Sequence, residues 1–200
     1  VRTAVGRQPP RRQPGEVILK LGFAGTSGRQ GIVNRLAAAL DQARHVGSPA
    51  IVAVAYADYA RAPAPSPADV LRASVRTGAA GVLIDTFVKD GRDLFASVSD
   101  EALAEWIAEA RASGLLVAVA GSLGRDAIAR VGDAGPDVVG VRGAACEGGR
   151  LGRVSAERVR ELRAAMAAIE GRHGGRVRGC QAGEARMPGS SPARFHGSRV

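Results

Sequence analysis

The chain has 200 residues, of which 46% are hydrophobic and 4% aromatic, and this suits one globular domain with a core of small aliphatic side chains. No apolar run approaches the roughly 18 residues of a membrane span, and the first residues lack a signal peptide's apolar stretch, so we expect a cytoplasmic protein with no membrane partner. The formal net charge is +9, but residues 1–17 contribute +3 and residues 172–200 contribute +5, so residues 18–171 carry only +1 and we expect no specific nucleic-acid partner.

Strands and helices are predicted to alternate along the chain. The predicted strands cover residues 1–5, 18–25, 50–56, 80–85, 115–120 and 138–141. The predicted helices cover residues 31–46, 66–77, 99–113, 125–131 and 155–169. A proline- and arginine-rich connection joins the first two strands. Because the strands are almost continuously apolar and are separated by helices, we expect a parallel sheet covered by helices.

The distribution of polar residues favours a barrel over an open dinucleotide-binding sheet. No Gly-x-Gly-x-x-Gly follows the strand at 18–25, so we expect no dinucleotide, and no cofactor of another class has a motif here. Polar residues instead follow several strands, as in a β/α barrel: Tyr56, Asp58, Asp85, Lys89, Ser122 and Arg142. We therefore predict an α/β fold of the (β/α)8 TIM-barrel type. Six strands at most fall short of the eight that a closed barrel needs, so we expect the chain to be short of a full barrel by about two units.

Lys89 is the strongest candidate for a catalytic side chain. The chain has 28 basic residues, but Lys20 and Lys89 are its two lysines and the other 26 are arginines. Arginine stays protonated, whereas a partly desolvated lysine can release its proton and act as an acid, base or nucleophile. Asp85 precedes Lys89 by four residues, so the two side chains lie on roughly one side of the backbone. Chance retention of two lysines in an arginine-rich composition is the alternative, and the sequence leaves it open.

Backbone amides follow the last two predicted strands at Gly121–Ser122 and at Arg142–Gly143. Barrels often build a phosphate site from the loops after their last two strands, where helix N-termini favour an anion. Glycine after a strand is also ordinary turn chemistry, and Arg142 has the alternative of pairing with a carboxylate. The two loops together favour a phosphate site.

Other single residues keep two interpretations. Asp58 either caps a turn or contacts a substrate, and Tyr56 either packs at the edge of the core or contacts a substrate. Cys146 is expected to be a small buried residue and, with Cys180, a free thiol. No histidine has a partner at metal-ligand spacing, so we expect no metal, and all three are expected at the surface: His45, His173 and His196.

Five segments carry a family resemblance in their order along the chain. They are Lys20-Leu21-Gly22-Phe23, residues 55–58, Asp-Thr-Phe-Val-Lys-Asp-Gly at 85–91, residues 118–123 and residues 140–146. Together they resemble the (5-formylfuran-3-yl)methyl phosphate synthase family over about residues 18–166. The resemblance implies a β/α-barrel, class I aldolase-like lyase. Such an enzyme condenses two molecules of glyceraldehyde 3-phosphate into a phosphorylated furan aldehyde, losing phosphate and water, and its product leads to methanofuran.

The resemblance also implies roles for individual residues. By position, Asp85 and Lys89 correspond to the family's catalytic aspartate and lysine on its sixth strand. Lys89 would be an acid/base or amine catalyst, tuned by Asp85 and Asp90. Lys20 matches a lysine at the end of the fourth strand and would meet a substrate oxygen or phosphate. The family's phosphate-facing loops correspond to Gly121, Ser122, Arg142 and Gly143.

One part of the family pattern has no counterpart. The family's first strand carries an Asp-x-Lys pair whose lysine is expected to form a Schiff base, and no segment of this chain matches it. The resemblance therefore implies a (β/α)8 barrel that is incomplete at the N-terminus, with about strands 3 or 4 to 8 present. We expect residues 1–17 to be a strand remnant and connection, 18–171 a partial barrel, and 172–200 a disordered basic tail, with little or no synthase activity in these 200 residues alone. The alternatives are a truncated, non-catalytic remnant or interaction module of the family, and another phosphorylated-sugar aldolase. The oligomeric state stays open, a homo-oligomer included.

Overall fold

Parallel strands and helices alternate along the computed structural model, which describes residues 17–47 and 49–172. The strands of the main sheet are β1 (Ile18–Gly22), β2 (Ala50–Tyr56), β3 (Gly81–Asp85), β4 (Leu116–Val119) and β5 (Val138–Val139). The helices are α1 (Gly28–His45), α2 (Pro67–Thr77), α3 (Asp100–Ala112), α4 (Arg125–Asp133) and α5 (Ala156–Arg172). Each element predicted between residues 18 and 169 is present, with ends that differ from the prediction by three residues or fewer.

The five strands lie side by side in the order of the sequence, β1-β2-β3-β4-β5, and every pair is parallel. The predicted α/β fold with a parallel sheet is therefore confirmed. Right-handed crossovers that all step in one direction place their helices on one face of a sheet, whereas the strand order of a doubly wound sheet reverses. In the described part of the chain β1 and β5 are the edges of an open sheet, and no closed barrel is present.

The two faces of the sheet differ in what covers them. Ile51, Ala53 and Ala55 of β2 belong to the main core together with buried side chains of the helices. The alternate residues Val52 and Val54 form a separate small cluster on the opposite face, which is defined here as the helix-free face. By strand register Lys20, Tyr56 and Asp85 belong to this second face.

Helix caps fix where the connections end. The Ser66 hydroxyl accepts the Asp69 backbone N–H at 3.2 Å, Pro67 opens α2, and Gly78 closes it with a φ of 75°. The Ser99 hydroxyl accepts the Ala102 N–H at 3.2 Å at the start of α3. These caps lie within one residue of the predicted ends of the two helices at 66–77 and 99–113.

A short antiparallel hairpin of β6 (Cys146–Glu147) and β7 (Arg153–Val154) precedes α5. Cys146 is buried, and His45 is exposed at the end of α1, as predicted. The strand predicted at 1–5, the connection up to residue 16, residues 173–200 of the predicted tail and Cys180 lie outside the described residues. None of the described helices is both long and apolar enough to cross a bilayer.

Candidate active site

The Lys89 side chain folds back on the end of β3 and faces three oxygen acceptors. Its Nζ lies 3.0 Å from Asp85 Oδ1 and 3.2 Å from the Thr86 hydroxyl, and it also donates to the Thr86 carbonyl. An ammonium group has three N–H donors, so each has an acceptor here. The side chains of Lys89 and Asp85 are 30% and 27% exposed, so a small molecule can reach both.

Gly121 allows the loops after β3 and β4 to approach each other. It has a φ of +121°, and a Cβ on it would lie 3.2 Å from side-chain atoms of Thr86 and Leu94. The Gly121 carbonyl accepts the Leu94 N–H at 2.9 Å. Any larger residue at position 121 would therefore be strained and would press on Thr86, which contacts Lys89.

Tyr56 lies beside the Asp85–Lys89 pair on the helix-free face. It is the register partner of Asp85, and its ring meets the Phe87 ring edge to face, with centroids 5.2 Å apart. Burial first, and then the charges of Asp85 and Asp58, raise the pKa of the Tyr56 phenol above its ordinary value. At neutral pH the phenol is a neutral hydrogen-bond donor. Gly22 makes room for it, since a Cβ there would lie 2.7 Å from the Tyr56 hydroxyl.

We expect Tyr56 to titrate above pH ~10, the ordinary value for tyrosine. The chain has two tyrosines, so a Tyr59→Phe variant isolates Tyr56 for titration by tyrosinate absorbance. Because the unfolded chain releases this proton first, the free energy of unfolding should fall as the pH rises past about 10. Adding Asp85→Asn removes one of the causes and should move the midpoint part of the way back. A midpoint at or below about 10 in the folded Tyr59→Phe protein would contradict this environment for Tyr56.

Lys20 lies apart from the Asp85–Lys89 pair. It is the third residue of β1, it is exposed, and its register partner is Val52, four residues before Tyr56. Standard strand spacings place its Cα roughly 16 Å from that of Asp85, two strands away. Lys20 shares the helix-free face with Asp85, which Lys89 contacts, but the structure does not bring the two lysine amines together.

The two predicted phosphate loops are neighbours. Gly121 and the exposed Ser122 follow β4, and the exposed Arg142 and the half-buried Gly143 follow β5. The Gly140 N–H donates to the Val119 carbonyl at 2.8 Å, which keeps the ends of the two strands together. A cleft of about 680 Å³ opens next to both loops; its lining includes Gly124, Arg125, Ala144, Ser155 and Arg158.

The family model for 4-HFC-P synthase matches residues 10–163. The chain belongs to this family. The match includes the whole sheet and the Asp85–Lys89 pair, and it confirms the resemblance that the five sequence segments carry. The family is a family of synthases, and therefore of enzymes.

Named relatives of the 4-HFC-P synthase family are longer than the matched part of this chain. The (5-formylfuran-3-yl)methyl phosphate synthase of Methanothermobacter thermautotrophicus is 37% identical over 147 residues, which are 72% of this chain and 62% of that protein. That of Methanocaldococcus jannaschii is 43% identical over 115 residues, 56% and 49% of the two chains. The putative synthase of Kitasatospora aureofaciens is 38% identical over 155 residues, 76% and 62%. The chain thus spans 49% to 62% of the length of these relatives.

In this family member, sequence reasoning missed two parts of the site. Thr86 is 3% exposed and supplies two of the three acceptors of Lys89. It was not predicted as a site residue, although it belongs to the Asp-Thr-Phe-Val-Lys-Asp-Gly segment at 85–91. Asp58 occupies the N-cap position of a 3-10 turn (Tyr59–Arg61) without a side-chain capping bond, and its carboxylate instead accepts two N–H groups of the Lys89 loop. The sequence signal for Asp58 was an acid just after a strand, which does not reveal its partner. Within residues 17–47 and 49–172, no three His, Cys, Asp or Glu side chains are grouped to hold a metal ion.

Proposed function

We propose that this chain contributes part of the active site of an enzyme that makes (5-formylfuran-3-yl)methyl phosphate for methanofuran biosynthesis. The reaction condenses two molecules of glyceraldehyde 3-phosphate and releases phosphate and water, as a carbon–oxygen lyase of the aldolase type. The observation that carries the proposal is the Lys89 amine held against Asp85 and Thr86 at the exposed end of β3. Relatives of the chain have this synthase name.

Lys89 and Asp85 are suited to moving a proton. Joining two trioses requires removing a proton next to one carbonyl and delivering a proton to the other carbonyl oxygen. The Lys89 amine and the Asp85 carboxylate lie 3.0 Å apart at the same accessible strand end, so both can reach one bound substrate and act on it as general acid and base. The ammonium form also stabilises the negative charge that develops on an enolate or alkoxide oxygen.

The remaining candidates suit a substrate with two phosphates. Two triose phosphates held side by side are longer than one amine can contact. A second cation on the helix-free face can bind the more distant phosphate, and Lys20 lies on that face. The loops at Gly121–Ser122 and Arg142–Gly143 offer backbone amides and a guanidinium to a phosphate. The positive φ of Ser122, 53°, supports this role because irregular backbone at a strand end is common around bound ligands.

The five strands are proposed to be consecutive strands of a (β/α)8 barrel. Their one-directional order and their helix-free apolar face support this, because a barrel has helices outside and side chains packed inside. The proposal assigns further parallel strands to the edges at β1 and β5. The candidate residues would then lie at the mouth or interior of the barrel.

The test is product formation from glyceraldehyde 3-phosphate, followed by furan absorbance and mass spectrometry. Two preparations are compared: the 200-residue chain, and the completed protein, defined as the chain joined to the part of the Methanothermobacter relative that it does not match. We expect the furan aldehyde from the completed protein and little from the chain alone. No product from either preparation would contradict the proposed function. Rapid turnover by the chain alone would contradict the expected dependence on a Schiff-base lysine of the added part. No contact among the described residues favours the non-catalytic interaction module.

A further inference from the structure

The loop that carries Lys89 has a shape set by individual contacts. Residues 86–91, all of them described, contain no helix or strand. Asp58, from the loop after β2, accepts two partly buried hydrogen bonds from this segment. Its Oδ1 accepts the Phe87 N–H at 2.7 Å and its Oδ2 accepts the Val88 N–H at 2.8 Å. Asp58 is 4% exposed, so its carboxylate is largely withdrawn from water, and the two charge-assisted hydrogen bonds are partly buried.

Other contacts between the same two loops are more open. Arg61 pairs with Asp90 at 2.7 Å, but their side chains are 40% and 33% exposed, and an exposed ion pair holds a loop weakly. The Tyr56–Phe87 ring contact has one exposed member, Phe87. The Asp58 carboxylate is therefore the contact that removes most freedom from the segment leading to Lys89.

Asp58 is itself fixed relative to β3. The Arg61 N–H donates to the Asp58 carbonyl at 2.8 Å, which closes the 3-10 turn. The Ala57 N–H donates to the Asp85 carbonyl at 2.9 Å, which continues the β2–β3 pairing past the strand end. One rigid ladder thus holds both the Asp58 carboxylate and the Asp85 carboxylate that Lys89 contacts.

We propose that Asp58 is a positioning residue for the Lys89 amine. Its carboxylate clamps the backbone N–H groups of Phe87 and Val88, and this clamp holds the amine, one residue further on, against Asp85 and Thr86. Asp58 acts through the loop and does not touch the amine. The clamp exists independently of any reaction, whereas its importance for catalysis rests on the proposed function.

Asparagine at position 58 is the sharpest test because it has nearly the same shape. The side-chain amide has one oxygen and one NH₂ group, so it accepts one N–H and presents a donor to the other. A partly buried N–H then loses its partner and the clamp opens. With Asp58→Asn, we expect Lys89 to leave its three acceptors for much of the time.

The readout is the lysine ammonium signal in ¹⁵N-lysine NMR of the 200-residue chain, which shows two side chains. In Asp58→Asn, hydrogen exchange at the Lys89 ammonium should speed up about tenfold and its signal should shift, while the Lys20 signal stays unchanged. The matched control is Asp137→Asn, which also removes a carboxylate that accepts a backbone N–H, that of Val117 at 2.9 Å, near the other end of the sheet. Asp137→Asn should leave the Lys89 signal as it is. A Lys89 signal unchanged in Asp58→Asn, or changed equally in both variants, would overturn the proposal.

If Asp58→Asn does not fold, amide exchange in the unmutated chain decides. The Phe87 and Val88 N–H groups lie outside any strand, and the clamp predicts exchange at least ~10-fold slower than the intrinsic rate. Exchange at the intrinsic rate would overturn the clamp.

The catalytic consequence is measured in the completed protein. Asp58→Asn should lower kcat about 100-fold, because a misplaced group costs this much, and change KM less than about threefold. An altered clamp with unchanged kcat would overturn the positioning role. Absence of product with the unmutated completed protein would instead count against the proposed function, and the NMR result on the clamp would stand.

Discussion

Replacing Lys89 by methionine is expected to lower furan aldehyde formation by the completed protein by at least about 1,000-fold. Methionine keeps much of the length and apolar stem but has no proton to exchange, so Asp85 and Thr86 lose the group they hold. General acid–base catalysis by one side chain contributes about 100- to 10,000-fold, and here Lys89 would also stabilise developing charge. The measurement is kcat/KM for product formation from glyceraldehyde 3-phosphate.

Lys89→Arg is the matched variant, and it separates charge from proton transfer. Arginine restores the positive charge beside Asp85 but does not release its proton, so activity should stay within about tenfold of that of Lys89→Met. Neither change should reduce the free energy of unfolding by more than about 1 kcal/mol, because the ion pair is partly exposed. Activity of Lys89→Met within tenfold of the unmutated protein would contradict the proposed role.

Leu36→Ala is expected to lower the free energy of unfolding more than either substitution of Lys89. Leu36 lies in α1, is fully buried and belongs to the main core between the helices and the sheet. Removing a buried leucine side chain loses transfer free energy and leaves a cavity, so the free energy of unfolding should fall by roughly 3–5 kcal/mol. Urea denaturation of the 200-residue chain, followed by far-ultraviolet circular dichroism, measures the change.

Leu151→Ala makes the same chemical change at the surface and serves as the control. Leu151 is 95% exposed in the loop of the β6–β7 hairpin, so the cost should be below about 0.5 kcal/mol. Equal effects of the two substitutions would mean that α1 does not cover the sheet as described here.

Regular elements were predictable because their signals are local. The apolar run at 50–56 predicts β2 with the observed ends, and Ser66 and Ser99 mark helix starts by capping chemistry. Helix α1 begins three residues before its apolar pattern, at Gly28, where no side-chain cap marks the start. The β6–β7 hairpin was missed because two-residue strands show no periodicity.

The site was predictable where it is local and not where it depends on register. Asp85 and Lys89 are four residues apart, and their spacing is enough to predict that they meet. Asp58 and Phe87 are 29 residues apart, so their contact depends on how β2 and β3 pair. The separation of Lys20 from Lys89 depends on the same sheet geometry, since Lys20 is the third residue of β1 whereas Lys89 lies in the loop four residues past the end of β3.

Borohydride trapping with glyceraldehyde 3-phosphate, followed by peptide mass mapping, tests the central claim most directly. The claim is that the enzyme uses lysine chemistry on a triose phosphate. Lys89 transfers the proton, and the Schiff base forms on the lysine of the family's Asp-x-Lys pair, which has no counterpart in this chain. The predicted result is one triose adduct in the completed protein, on a lysine of the added part, with Lys20 and Lys89 unmodified. An adduct on Lys89 would contradict the role assigned to it, and the absence of any adduct would contradict the aldolase-like synthase itself.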